Sequence, residues 1–207
     1  MRSIILLMVL IIFVFTSSLW AQKNTGIIAG LSFSNVTLRS GNSTSSPKSK
    51  TGFTAGIVVD APFHTKLGFQ TGVNFIQKGY IVKDATSTET VNLNYCEIPL
   101  DLIYGVKEKQ GFFIGAGPSI AFGISGKDKL KLAGNTSSDN TQIQFGSGLD
   151  QVKPFDFGIH IIAGYRVAGG FMVSGIYNLG LSKINNDNGG ARSIKNKYFS
   201  MKIGLMF

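Results

Sequence analysis

Apolar residues alternate with small or polar ones along most of this chain. In residues 52–61, for example, Phe53 and Ile57 share one face of an extended chain, and Gly56 and Asp60 share the other. A period of two predicts β-strands whose two faces meet different surroundings. We identify eight such segments: residues 25–35, 52–61, 67–82, 91–104, 111–125, 154–166, 170–182 and 195–207.

The connections between these segments alternate between long polar stretches and short turns. This arrangement predicts an antiparallel up-and-down sheet, and an even number of strands places both chain ends on the side of the short turns. The long connections are residues 36–51, 83–90, 126–153 and 183–194, and the short ones are residues 62–66, 105–110 and 167–169.

The distribution of apolar residues distinguishes a soluble barrel from one that crosses a membrane. In residues 154–166 the large apolar side chains Phe157 and Ile159 share one face, and Asp156, Gly158 and His160 share the other. Glycine and small polar residues suit the crowded interior of a narrow barrel, which leaves the large apolar residues outside. Lipid contact accounts for such an exterior, and a sheet in lipid must close because hydrocarbon offers no partner for a strand edge. A soluble lipocalin-like barrel that binds a ligand is the alternative.

Chain length sets the expected size of the barrel. The 207 residues accommodate eight strands of about 9 to 11 membrane-spanning residues with their loops, whereas twelve or more would leave too little chain. Side chains just fill the interior of an eight-stranded barrel, so we expect no open pore. The predicted fold is therefore all-β, an eight-stranded antiparallel up-and-down transmembrane β-barrel.

The first 21 residues predict an export signal. Arg2 precedes an apolar run over residues 4–15, and small residues lead to Ala21. This run is too short for a membrane-spanning helix, which needs about 20 residues, and its three-part pattern is typical of a secretory signal peptide. We predict a cleaved signal peptide at residues 1–21 and a barrel domain at residues 22–207.

Aromatic residues recur near the strand ends, where the interfaces of a membrane would lie. We predict interfacial girdles from Phe33, Phe53, Phe75, Tyr80, Tyr104, Phe112, Phe155, Tyr165, Phe171, Tyr198 and Phe199.

The final segment places alternate apolar residues on one face and ends in phenylalanine. This pattern resembles the assembly signal that the barrel-assembly machinery reads during insertion into the outer membrane. The residues of the predicted signal are Phe199, Met201, Ile203, Leu205 and Phe207.

Five segments resemble the PorT-like outer-membrane β-barrel family of Bacteroidetes. In chain order they are residues 30–35 (GLSFSN), 75–80 (FIQKGY), 93–100 (LNYCEIPL), 115–118 (GAGP) and 177–181 (YNLGL). The resemblance implies an eight-stranded barrel in the bacterial outer membrane with both termini periplasmic. One member of the family is linked to protein secretion, which makes a secretion-associated barrel an alternative function.

Ionisable residues at the inward positions of the predicted strands form the main candidate site. Charges in a water-poor lumen need partners, so we predict an ion-pair and hydrogen-bond network that fixes strand register and fills the barrel. A gated ion or proton path, as in a narrow channel or transporter, is the alternative. The predicted lumenal residues are Asp60, Lys78, Glu97, Asp101, Asp156, His160, Arg166 and Lys202.

The sequence offers little for catalysis. His64 lies in a short turn, and His160 would stand about 13 Å along its strand from Asp156, which is too far for a hydrogen bond. No G-x-S-x-G or H-E-x-x-H motif is present, and a single cysteine cannot build a multi-cysteine zinc site. We therefore predict a protein that is not an enzyme and holds no cofactor or metal.

The formal net charge is +9, and basic residues collect in the long connections and at their edges. An exported chain without nucleic-acid recognition motifs is not expected to bind nucleic acid. Lysine and arginine at the membrane surface would instead bind the phosphates of outer-membrane lipid, including lipopolysaccharide. We predict these contacts for Lys127, Lys129, Lys131, Arg192, Lys195 and Lys197.

The predicted function is therefore structural or interactive. Residues 35–51 and 127–153 are rich in Ser, Thr, Asn and Gly and would form long extracellular loops. We expect an extracellular or secretion partner to bind there.

Overall fold

The computed structural model describes residues 25–105, 110–133, 138–149, 151–186 and 192–207, so the predicted signal peptide at residues 1–21 lies outside the described residues. No helix in these ranges is long and apolar enough to cross a membrane. The described chain is all β, as predicted. Its strands are β1 (Thr25–Ser40), β2 (Ser43–Ser45), β3 (Lys48–Pro62), β4 (Leu67–Lys83), β5 (Ser87–Tyr104), β6 (Gly111–Leu132), β7 (Ser138–Ile143), β8 (Phe155–Arg166), β9 (Phe171–Gly180) and β10 (Arg192–Met206).

The strands form one antiparallel sheet whose two ends pair with each other. The order β10-β9-β8-β6-β5-β4-β3-β1 follows the chain, and β10 also pairs with β1 from Gly26↔Met206 to Ser40↔Arg192. The pairing therefore closes on itself, and we call the enclosed space the lumen. Strand β2 pairs with β1 and β7 pairs with β6 as additions to this ring. The prediction of antiparallel up-and-down strands is confirmed.

The structure differs from the eight predicted segments at one end of the sheet. We call this the distal end, because both chain termini lie at the opposite, proximal end. Strands β5 and β6 continue to Ser87 and Leu132, and β7 lies in the predicted loop 126–153. These extensions are polar on most of their outward positions, so they lack the apolar period by which strands were identified.

The outer face of the sheet is apolar, and the inner face is largely polar. Ile57 is 52% exposed, whereas its neighbour Val58, which points inward, is 4% exposed. Among the buried side chains of the described residues, polar and charged ones outnumber apolar ones. Large exposed apolar side chains form a band around the sheet, which includes Leu31, Phe53, Ile98, Ile114, Phe122, Ile159, Val173 and Ile203.

A β-bulge changes the direction of side chains on the distal part of β6. Asn94 pairs with Ser125, but Tyr95 pairs with Gly123, so β6 carries one extra residue at Ile124. A bulge shifts the two-residue alternation by one position. Lys127 consequently points outward and Asp128 inward, the reverse of what unbroken alternation from Phe122 would give.

Phe113 is a large side chain on an inward face that otherwise consists of small residues. It pairs with Gly164 on β8, and a Cβ atom at Gly164 would overlap the Phe113 ring. The Arg166 guanidinium lies 4.8 Å from the centre of that ring. Glycine at position 164 therefore provides the space in which Phe113 and Arg166 pack.

Candidate functional site

The lumen contains all eight ionisable residues proposed for it. Each of the eight is buried, and no other Asp, Glu, Lys, Arg or His among the described residues is. Four carboxylates face three basic side chains and one histidine. The residues are Asp60, Glu97, Asp101 and Asp156 on the acidic side and Lys78, Arg166, Lys202 and His160 on the basic side.

Lys78 on β4 lies at the centre of the largest cluster. Its Nζ atom is 3.1 Å from Oε2 of Glu97 and 3.0 Å from Oδ2 of Asp156. The same ammonium group lies 5.0 Å and 5.1 Å from the ring centres of Tyr95 and Tyr198. Two carboxylates and two aromatic faces thus surround one buried cation, which offsets the cost of removing its charge from water.

His160 on β8 extends this cluster toward the proximal end. Its Nδ1 atom is 3.4 Å from Oδ2 of Asp101, and its Nε2 atom is 3.3 Å from Oε1 of Glu97. The Tyr198 hydroxyl donates to the same Glu97 oxygen at 2.5 Å and lies 2.9 Å from Nε2. Since both ring nitrogens face carboxylates, a doubly protonated imidazolium matches the surroundings of His160.

A second cluster lies nearer the proximal end. Arg166 donates from Nη2 to Oδ2 of Asp60 at 2.6 Å and from Nη1 to the carbonyl oxygen of Gly105 at 3.0 Å. Gln70 donates to the other Asp60 oxygen at 2.8 Å. Gln70 also pairs across strands with Asp101, so polar side chains run without a break from this cluster to the His160 cluster.

Lys202 differs from the other lumenal cations. Its side chain is buried, and no described residue forms a hydrogen bond with its Nζ atom. Glu97 and Asp101 are nevertheless close enough to attract it electrostatically. Lys202 therefore contributes charge to the lumenal cluster without a direct ion pair.

The two histidines of the chain lie in different surroundings. His160 contacts carboxylates on other strands and does not pair with Asp156, which instead binds Lys78 and accepts from Asn196 at 2.8 Å. His64 is exposed in the proximal turn. Among the described residues no group of three or more His, Cys, Asp or Glu has the geometry for a metal ion.

Two aromatic residues of the predicted girdles occupy the lumenal side instead. Tyr198 is buried in the Lys78 cluster, and Tyr80 packs against the buried core. The prediction was wrong for both, because each has the parity of a lumenal residue: Tyr80 that of Lys78 and Tyr198 that of Lys202. The alternation itself contained this signal.

Five of the six predicted lipid-phosphate residues have outward positions on β6 or β10, and Arg192 does not. Lys127, Lys129 and Lys131 occupy successive outward positions on β6, distal to the apolar band, and all three are exposed. Lys195 and Lys197 share the outward parity of Phe199 on β10, and Lys197 donates to Ser46 at 3.0 Å. Arg192 has the parity of the lumenal residues, so it does not belong to this outward set.

Four of the predicted assembly-signal residues lie on the outer face of β10, and Phe207 directly follows the strand. Phe199, Met201, Ile203 and Phe207 are exposed, and Leu205 is half-buried.

Comparison with known proteins identifies the family. Residues 20–186 match the family described as the outer membrane protein beta-barrel domain. The chain belongs to this family. It is therefore a small outer-membrane β-barrel protein, and the predicted location in the bacterial outer membrane is confirmed. No curated protein matches the sequence.

The matches among solved structures include three outer-membrane proteins. Ail, the attachment invasion locus protein of Yersinia pestis, is 13% identical with a TM-score of 0.44, over 90% of this chain and 100% of that one. Neisserial surface protein A is 13% identical with a TM-score of 0.41, over 88% and 97%. The outer membrane protease OmpT of Escherichia coli is 10% identical with a TM-score of 0.32, over 90% and 98%.

Proposed function

We propose that this protein is an eight-stranded transmembrane barrel that acts as a structural or interaction protein, not as an enzyme or an open channel. The ion network around Lys78 carries the proposal. Lys78, Glu97 and His160 are buried, and their partners lie on other strands across the lumen. Charges that pair with one another in this way hold the strands in register and obstruct the axis of the barrel.

The proposed orientation has both termini in the periplasm and the distal end outside the cell. The short connections at the proximal end and the longer strands at the distal end support it, because outer-membrane barrels have short periplasmic turns. We also propose that residues 1–21 are a cleaved signal peptide and that the protein is a member of the PorT-like group. The outward apolar residues from Phe199 to Phe207 would be the signal read by the barrel-assembly machinery.

The outward lysines of β6 support binding to lipid phosphate. Lys127, Lys129 and Lys131 form a basic ladder just distal to Ile124, where the apolar band ends. Their cross-strand neighbours are uncharged polar residues, Asn92, Thr90 and Thr88 on one side. Lysines at this height would contact the phosphates of lipopolysaccharide in the outer leaflet.

Conductance in planar bilayers tests the filled lumen. We expect no steady single-channel openings from the wild-type protein, while outer-membrane fractionation and heat-modifiable migration in mild detergent show that it is inserted and folded. Steady openings that Glu97→Gln or Lys202→Met abolishes would contradict the proposal and favour a narrow channel.

Lipid binding tests the basic ladder separately. Replacement of Lys127, Lys129 and Lys131 by glutamine should weaken retention on lipopolysaccharide-containing vesicles. Lys66→Gln in a proximal turn is the matched control and should have no effect. Equal retention of the triple variant and the control would contradict the assignment of the ladder.

A further inference from the structure

A pocket at the distal mouth of the barrel combines an apolar wall with two carboxylates. It has a volume of about 240 Å³ and lies among the distal parts of β4, β5 and β6, the strand β7 and residues near 151 and 185. Tyr80 of β4 and Asp128 of β6 both pair with Val91 of β5, one from each side. Glu89 is the next inward-facing residue of β5 toward the distal end. The apolar wall is formed by Val91, Leu93, Ile143, Val152, Ile184 and Ile194.

The two carboxylates lack an internal cation of the kind that Lys78 supplies in the lumen. No lysine of the described residues forms an ion pair with Glu89 or Asp128. Oδ1 of Asp128 is buried and accepts no hydrogen bond from the described residues. Arg192 lies close enough to act electrostatically on Tyr80. The pocket thus presents an acceptor that a bound donor would satisfy.

The electrostatics of the pocket favour a bound cation. Burial, with the nearby Asp128 and Asp84 carboxylates, raises the pKa of Glu89. Burial also raises the pKa of Asp128, and burial with both carboxylates raises the pKa of Tyr80 to about 12. In each case the negatively charged form is disfavoured, and a positive charge in the pocket would relieve this.

We propose that this pocket binds a small primary ammonium compound with an apolar body. The ammonium group would donate to Asp128 and Glu89, and the apolar body would contact the wall around Val91 and Ile184. A bare metal ion fits less well, because no group of three or more His, Cys, Asp or Glu among the described residues could hold one, and the aliphatic wall supplies no ligand. The volume lies below the roughly 300 Å³ typical of sites for drug-sized ligands, so the compound should be small.

Titration calorimetry with benzylammonium tests the proposal on the purified full-length mature protein in nonionic detergent. The heat of addition to protein-free micelles is subtracted. We expect saturable binding with one compound per protein. Benzyltrimethylammonium carries the charge without an N–H donor, and benzyl alcohol carries a donor without the charge, so each should bind at least tenfold more weakly.

Variants locate the binding to this pocket. Glu89→Gln combined with Asp128→Asn should weaken benzylammonium binding at least tenfold, and Asp139→Asn, at an exposed position of β7 that does not line the pocket, should leave it unchanged. Arg192→Gln should strengthen binding, because it removes a positive charge that acts on Tyr80 at the pocket. Heat-modifiable migration checks that each variant is folded. The relative affinities of the three compounds for the wild-type protein test the proposal without any variant. Absence of saturable binding, equal binding of the three compounds, or unchanged binding by the folded double variant would overturn the proposal.

Discussion

Two pairs of acidic residues in this barrel have opposite electrostatic surroundings. In the lumen, Glu97 and Asp156 share the Lys78 ammonium group at 3.1 Å and 3.0 Å. At the distal mouth, Glu89 and Asp128 have no lysine partner among the described residues, and they border an apolar pocket. In the lumen the chain itself supplies the counter-charge for its buried carboxylates, whereas at the distal mouth the half-buried pair supports the proposed ligand site.

Removal of the lumenal cation should have the largest effect. Lys78→Met leaves Glu97 and Asp156 buried without their shared cation, so we expect the free energy of unfolding to fall by about 3–5 kcal/mol. Urea unfolding in lipid vesicles measures it. Lys66→Met, at an exposed turn position, is the control and should change stability by less than about 0.5 kcal/mol. A loss for Lys78→Met as small as that of the control would remove the distinction between the two regions.

A smaller loss is expected when one hydrogen bond of the lumenal network is removed. Tyr198→Phe deletes the hydroxyl that donates to Glu97 and should cost about 1–3 kcal/mol, because the carboxylate loses a buried donor. Tyr177→Phe on the exposed outer face is the matched control and should be nearly neutral. If the two variants unfold at the same urea concentration, Tyr198 does not act through the network.

Removal of the charges of Glu89 and Asp128 should change the free energy of unfolding least. At neutral pH this change should be a gain in stability, whereas the lumenal variants lose stability. The folded protein holds the pKa of Glu89 and of Asp128 above their ordinary values of 4.5 and 3.8, so in the window above these values it binds more protons than the unfolded chain. The free energy of unfolding contributed by this pair therefore falls as pH rises through the window. The contribution of the pair is measured as the difference in the free energy of unfolding between wild type and the Glu89→Gln, Asp128→Asn variant at each pH.

We expect this difference to stay below about 0.5 kcal/mol, because both carboxyls are partly exposed and screened by solvent. The variant should therefore be slightly more stable relative to wild type at neutral pH than at acidic pH. A change in the other direction would mean that the pair is already neutralised by a cation.

The alternation of the sequence accounts for much of the fold. It predicts which residues face inward wherever a strand crosses an environment with two different sides, as for Asp60 and Lys202. It fails at the distal end, where β7 is polar on both faces up to Ile143 and the alternation of lysine with leucine in the β6 extension covers only residues 129–132. The bulge at Ile124 is likewise not apparent in the sequence, because it depends on the pairing of β6 with β5.

The partners within the lumen depend on register, which the sequence does not specify. Strand parity places His160 inside, but only the pairing of the strands brings it to Asp101 and Glu97 rather than to Asp156 on its own strand. The inward position of Tyr198 in the Lys78 cluster follows from its parity with Lys202 on β10. The prediction of interfacial girdles gave more weight to its place near a strand end than to this parity. The distal pocket combines residues from the bulged strand with residues of the predicted loop 126–153, so sequence periodicity could not indicate it.

The proposed transmembrane barrel requires that its apolar outer face contacts lipid, and the accessibility of spin labels measures this. With Cys96 first replaced by serine, single labels at Ile57, Ile120 and Lys129 are compared in lipid vesicles. We predict that labels at Ile57 and Ile120 collide with lipid-soluble oxygen and that the label at Lys129 collides with a water-soluble nickel reagent. Labels at Ile57 and Ile120 that are reached by the nickel reagent and shielded from oxygen would contradict the account.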